Sequence, residues 1–153
     1  MIVQYERTRP DAVKPSRGHP SDAGLDVYYC PEDASTTGHL IKPGESALLQ
    51  SGLKFEVPHG YMLEVKNRSS IAALRSLVVG ACVIDSGYSG EVFINLHNIG
   101  NHDQVVEKGT KIAQLVMVPI ISFRPREITG ESLYRDPVTI SDRGHGALGS
   151  TNE

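Results

Sequence analysis

Asp85 closes the apolar pair Val83-Ile84 and is followed by Ser86-Gly87-Tyr88-Ser89-Gly90. A carboxylate at the end of a buried strand is a candidate general base, because partial desolvation raises its affinity for a proton. A tyrosine three residues on, in a glycine-punctuated turn, can offer its ring face to a sugar or a base. An ordinary hairpin turn in which Asp85 bonds its own backbone fits the same residues. Asn67-Arg68-Ser69-Ser70 precedes the apolar run Ile71-Ala72-Ala73-Leu74. A helix beginning there would aim backbone N–H groups, a guanidinium fork and two hydroxyls at a phosphate; a plain helix cap with a surface arginine has the same composition. Near the end, Arg143-Gly144-His145-Gly146-Ala147-Leu148-Gly149-Ser150-Thr151 combines an arginine, glycines that let backbone N–H groups approach an anion, and two hydroxyls. A merely flexible tail reads alike. Asp26 and Gln114 are polar residues inside apolar stretches, a pattern more common for structural hydrogen bonding than for a site.

These residues need elements to hold them, and the elements read as strands. Short apolar or alternating runs at 2–5, 25–29, 46–50, 53–57, 61–66, 90–97, 105–106 and 111–121 are separated by turn signals such as Pro43-Gly44, Ser51-Gly52 and Pro58-His59-Gly60. In 90–97, Val92, Ile94 and Leu96 share one face, with Asn95 and His97 on the other. Residues 77–84 are almost entirely apolar and read as one buried strand. Only 70–76 suggests a helix, about two turns long and capped by serine. The spacing predicts an all-β barrel or double-sheet sandwich. A core is expected over 1–123 and a polar C-terminal arm and glycine-rich tail over 124–153, whose last eleven residues, 143–153, are too poor in apolar residues to order themselves alone.

Composition narrows the function classes. The 153 residues hold 15 Lys and Arg against 18 Asp and Glu, a net charge of −3, which disfavours a dedicated nucleic-acid binder. No apolar run reaches the roughly 18 residues of a membrane span, and the opening MIVQYERTRP lacks a secretory apolar stretch. Two cysteines, Cys30 and Cys82, are too few for a disulfide framework. A soluble intracellular, cytoplasmic protein with reduced thiols is expected, Cys30 as a small buried hydrophobe.

Five segments, in this order, resemble the five motifs of the trimeric dUTPase family (deoxyuridine 5′-triphosphate nucleotidohydrolases): SDAGLDVYY (21–29), NRSSIAAL (67–74), GACVIDSGYSGEV (80–92), GTKIAQL (109–115) and RGHGALGST (143–151). The resemblance spans nearly the whole chain. It implies a jelly-roll-like (β-clip) protomer in a homotrimer, with active sites shared between subunits and closed by the C-terminal tail. The implied activity is Mg²⁺-dependent hydrolysis of dUTP to dUMP and pyrophosphate, which keeps uracil out of DNA and supplies dUMP. By the same resemblance, Asp85 activates the water that attacks the α-phosphorus and Tyr88 packs on the deoxyribose. The backbone around Gly80, Val83 and Ile84 reads the uracil. Arg68, Ser69 and Ser70 hold the phosphates, Gln114 meets the α-phosphate region, and Asp26 stands behind the metal's waters. Arg143 reaches the terminal phosphates, with Leu148, Gly149, Ser150 and Thr151 closing over the substrate. Mg²⁺ would be held by substrate phosphates and waters rather than by protein ligands.

The chain departs from the family pattern at three places. Leu148 occupies the position of an aromatic lid, Cys82 that of a glycine in the uracil hairpin, and the acidic and arginine neighbours of the tyrosine are Gly87 and Ser89. Leu148 and Cys82 motivate an alternative: a related pyrophosphatase with shifted base preference, for dCTP or a C5-modified dUTP. A dCTP deaminase would need a glutamate on the strand after Tyr88, where 92–97 has Asn95 and no glutamate. A nucleotide-gated regulatory binding protein is the reading from a different class.

Overall fold

The computed structural model describes residues 1–130 and 133. Its elements are β1 (Tyr5–Arg7), β2 (Gly24–Tyr28), β3 (Gly38–Ile41), β4 (Ser46–Gln50), β5 (Leu53–Phe55), β6 (Tyr61–Lys66), α1 (Ser69–Arg75), β7 (Leu77–Val79), β8 (Val83–Ile84), β9 (Phe93–Asn98), β10 (Gln104–Glu107) and β11 (Lys111–Pro119). Among the described residues the fold is all-β with one short helix, a jelly roll as expected. A four-stranded sheet runs β2-β11-β6-β8 and a three-stranded sheet β4-β9-β7; β1-β5 and β10-β3 form two further pairs. Every pairing is antiparallel.

Alternation puts the core together. On β9, Ile94 and Leu96 are buried while Asn95 and His97 face outward, as the sequence period predicts. Val27, Leu49, Leu53, Val106, Ala113 and Leu115 meet them from other strands. Cys30 is buried within this cluster. The compact unit Met1–Ser122 holds all of these elements. In the unit Phe123–Glu153, the described residues 123–130 are exposed and have no regular structure.

Four local expectations change. Residues 77–84 do not form one buried strand: Leu77–Val79 pairs with β9, Val83–Ile84 pairs with β6 in the other sheet, and Gly80 to Cys82 cross between them in solvent. An apolar run marks strand propensity but carries no information on which sheet takes each half. The first strand is Tyr5–Arg7 rather than 2–5, because its register is set against Leu53–Phe55, leaving Ile2 exposed. Gly38–Ile41, at the end of a turn-rich stretch, becomes a strand by pairing with β10. Finally, α1 begins at Ser69, not 70, and its cap position is Arg68 in extended conformation, with no side-chain cap bond. Both serines therefore lie in the first turn instead of one capping it.

Candidate functional site

Asp26 lies on β2 opposite Gln114 of β11. Its side chain is 13 % exposed and carries two cations. Arg68 Nε donates to Oδ1 at 2.7 Å and Lys111 Nζ meets Oδ2 at 2.9 Å. Asp26 holds the Lys111 ammonium above its ordinary range, first through the direct hydrogen bond and then through charge. Lys111 also stands over the Tyr28 ring, 5.8 Å from its centroid. Gln114 donates from Nε2 to the Asn67 carbonyl at 2.9 Å, and the Asn67 side chain accepts the Val79 N–H at 2.7 Å. That pair of bonds ties the segment before α1 to both sheets.

Gly24 leaves the room this arrangement needs. A β-carbon there would fall well inside the Gln114 side chain. The result is a cleft of about 380 Å³ whose lining includes Asp26, Arg68, Ser69, Ser70, Lys111 and Gln114. Two cations, two hydroxyls and an amide around one open space form a donor set for a phosphate chain. His19 and Asp22 complete the rim, joined by a bond from His19 N–H to Asp22 Oδ2 at 2.8 Å.

The structure thus brings together five residues singled out in the sequence: Asp26, Arg68, Ser69, Ser70 and Gln114. Sequence reasoning missed Lys111, His19 and Asp22. Lys111 and Gln114 are three apart, a spacing that strict alternation sends to opposite faces. A register shift between Lys111 and Ala113 rephases the strand, so both line the same cleft. The lysine was visible in GTKIAQL; the bulge that aims it was not.

Gly80, Val83, Ile84, Asp85 and Tyr88 belong to a second region, the segment following β7. Ile84 is buried and Val83 exposed. Asp85 follows directly and is exposed, so the desolvation expected for it at a buried strand end is not met here. A tight turn follows, with the Tyr88 N–H bonding the Asp85 carbonyl at 3.2 Å and Gly87 at φ +87°. Only glycine adopts that φ without strain. Ser86 Oγ pins the turn to the Val57 carbonyl at 3.1 Å, and Tyr88 Oη donates to the Glu91 carbonyl at 2.9 Å. The turn forms one wall of a larger cleft of about 850 Å³, whose other wall includes Tyr5, Phe55, Pro58 and His59. The two clefts share no lining residue.

Arg143, Leu148, Gly149, Ser150 and Thr151 lie outside the described residues. Among the described residues, no group of three or more His, Cys, Asp or Glu could hold a metal ion. Among them, too, no helix is long and apolar enough to cross a membrane. Cys82 is a free, exposed thiol.

Comparison with known proteins meets this geometry. The family model described as dUTPase matches residues 11–151. The deoxyuridine 5′-triphosphate nucleotidohydrolase of Clostridium acetobutylicum is 39 % identical over 142 residues, 92 % of this chain and 89 % of that protein. The Staphylococcus bacteriophage 80alpha dUTPase with dUPNHPP superposes with a TM-score of 0.82 at 24 % identity, covering 97 % of each chain. A mutant dUTPase from phage phi11 of S. aureus, described with a structural Mg(II) ion, gives 0.75 at 23 % identity, over 84 % of this chain and 97 % of that one.

Proposed function

The chain belongs to the dUTPase family and is a hydrolase of dUTP; from that premise we propose how its own residues divide the work. The observation that carries the reading is the double clamp of Asp26 on Arg68 and Lys111 beside Ser69, Ser70 and Gln114. This cleft takes the triphosphate. Phosphoryl chemistry depends on alignment and charge neutralisation more than on covalent help, and a cleft with its cations already held in place supplies both. Arg68 and Lys111 face the phosphate oxygens, and Asp26 stops the two cations from repelling each other out of position. Gln114 is oriented toward the α-phosphate region by its bond to Asn67.

Asp85 orients and deprotonates the attacking water. The oxygen–phosphorus bond forms at the α-phosphorus as the bond to the bridging oxygen breaks, giving dUMP and pyrophosphate. Tyr88 is the wall against the deoxyribose, and the backbone from Gly80 to Ile84 reads the uracil edge. Tyr88 lines a different cleft from Arg68, and Asp85, three residues before it, lines neither. One protomer therefore offers the two halves apart, which supports a homotrimer whose sites join the phosphate cleft of one subunit to the Asp85 turn of another. The tail, with Arg143, Leu148, Gly149, Ser150 and Thr151, completes the donor set over bound substrate. The core 1–123 and arm 124–153 act as one functional domain.

The donor set fits a metal that arrives on the substrate. Both Asp26 oxygens already hold cations, yet each keeps lone pairs for a water. Asp26 is thus suited to orient metal-bound waters rather than to ligate directly. When bound, Mg²⁺ neutralises the phosphate charge and helps to align the phosphate chain.

Incubation with Mg²⁺ and each of dUTP, dCTP, dTTP and UTP, with products separated by ion exchange, tests the reading. Conversion of dUTP alone, abolished in Asp85→Asn while nucleotide binding persists, is the expected result. Near-normal turnover by Asp85→Asn would sink the mechanism. A second reading, shifted base preference, draws on the exposed Cys82 in the base-reading segment; comparable cleavage of dCTP would favour it.

A further inference from the structure

Arg9 and Glu91 are 82 positions apart, and their side chains are 16 % and 13 % exposed. The guanidinium grips the carboxylate with both terminal nitrogens, Nη1 meeting Oε2 at 3.0 Å and Nη2 meeting Oε1. The same Nη2 donates to the Cys30 carbonyl at 2.8 Å, anchoring the arginine to the core. Oε1 also accepts the Gly52 N–H at 2.8 Å. The Glu91 side chain is thus held by three donors on two separate segments.

The Glu91 backbone carries the consequence. Its carbonyl accepts the Tyr88 hydroxyl at 2.9 Å, and Gly90 between them has no side chain because the ring lies where a β-carbon would be. The next residue, Val92, is locked to the Leu53 carbonyl at 2.8 Å. The exposed Tyr88 ring is held by that hydroxyl bond, by its seat on Gly90 and by the turn below it. A bidentate arginine–carboxylate pair has a directional geometry that a lysine cannot reproduce.

We propose that Arg9 and Glu91 are positioning residues for Tyr88, and that through it they set discrimination between deoxyribose and ribose nucleotides. This rests on the reading of Tyr88 as the sugar wall. The wall rejects a 2′-hydroxyl only if the ring stays close and still, and the Arg9–Glu91 pair determines where the carbonyl that holds the ring stands.

The test is the ratio of kcat/KM for dUTP over UTP, with Mg²⁺, in the full-length protein. Tyr88→Ala should collapse the ratio. Arg9→Met should lower it about tenfold, the effect of displacing one hydrogen-bonded contact by roughly its own net strength. Arg9→Lys should restore part of the loss, since it keeps the charge but not the fork. A purely structural role would lower the melting temperature and leave the ratio unchanged. An Arg9→Met ratio within twofold of the parent, with Tyr88→Ala collapsed, overturns the inference and leaves the sugar wall standing. A ratio moved by neither variant overturns the sugar wall and the inference with it. Should Arg9→Met fail to fold, Glu91→Gln, which keeps the shape and an acceptor for Gly52, decides: a lowered ratio supports the proposal and an unchanged one refutes it.

Discussion

The His97 imidazole occupies the space where a side chain on Gly80 would have to go. Gly80 N–H bonds the Asn95 carbonyl at 2.9 Å, continuing the β7–β9 ladder for one more residue before the chain leaves that sheet. On the outward face of β9, His97 Nε2 and Asn95 Oδ1 meet at 2.8 Å and lean over the glycine. Asn95 Nδ2 donates to the Ala47 carbonyl at 3.4 Å, which leaves Oδ1 turned toward the imidazole.

Gly80→Ala should therefore do two things. It should break the Asn95–His97 bond, destabilising the fold by about 1–2 kcal/mol in denaturant unfolding. It should also shift the start of the segment proposed to read the uracil, raising KM for dUTP more than it lowers kcat. Parent stability and kinetics in the Gly80→Ala variant would show that the two side chains swing away freely.

Asp26→Asn removes the charge between Arg68 and Lys111 while keeping the shape. KM for dUTP should rise about tenfold or more, as the proposed phosphate donors lose their alignment. The Lys111 titration, followed by NMR, should move down toward the ordinary lysine value. The sign follows from the raised value in the parent. A lysine whose folded value lies above its unfolded one contributes stability in full below about pH 10 and loses it as pH climbs through the folded value. The part of the parent's advantage over Asp26→Asn that comes from Lys111 should thus hold at neutral pH and shrink in strong alkali.

Asn98 is a structural amide at the end of β9, 1 % exposed. Its Nδ2 donates to Ile41 O at 2.9 Å and His102 O at 2.8 Å, and its Oδ1 accepts Gly100 N–H at 3.0 Å. Asn98→Ala strips all three, a buried bond to Ile41 and partly buried ones to His102 and Gly100, at a cost of about 2–4 kcal/mol. Urea unfolding measures it; a change below about half a kcal/mol would mean that water replaces the amide.

The acid limb of stability should trace in part to Asp11 and Asp33. Lys108, 2.6 Å from Asp11, holds that carboxyl below its ordinary range, and Ser35 does the same for Asp33. Depressed carboxyls contribute stability above the unfolded value near pH 4 and lose it as pH falls through the folded value. Asp11→Asn should flatten the loss of melting temperature below about pH 4 and leave the profile between about pH 6 and 8 parallel to the parent's.

Most of the strand period and turns, and the positions Asp26, Arg68, Ser69, Ser70 and Gln114, were legible in the linear chain. Ile94 and Leu96 alternate with Asn95 and His97 because side chains on a strand point to opposite faces, and that period is written in the residues themselves. Five ordered segments carried the family for the same reason: each is a short run of residue types that can be read within the linear chain. Pairing between distant segments was not legible. The split of 77–84 between two sheets depends on which strand offers a free edge. The entry of Lys111 into the Gln114 cleft depends on a bulge against β2. Arg9 finds Glu91 across 82 residues because packing brings the loop after β1 beside Gly52. Local sequence carries propensity and periodicity; long-range contacts arise when burial of the whole core selects one arrangement of edges, and only the tertiary structure records that selection.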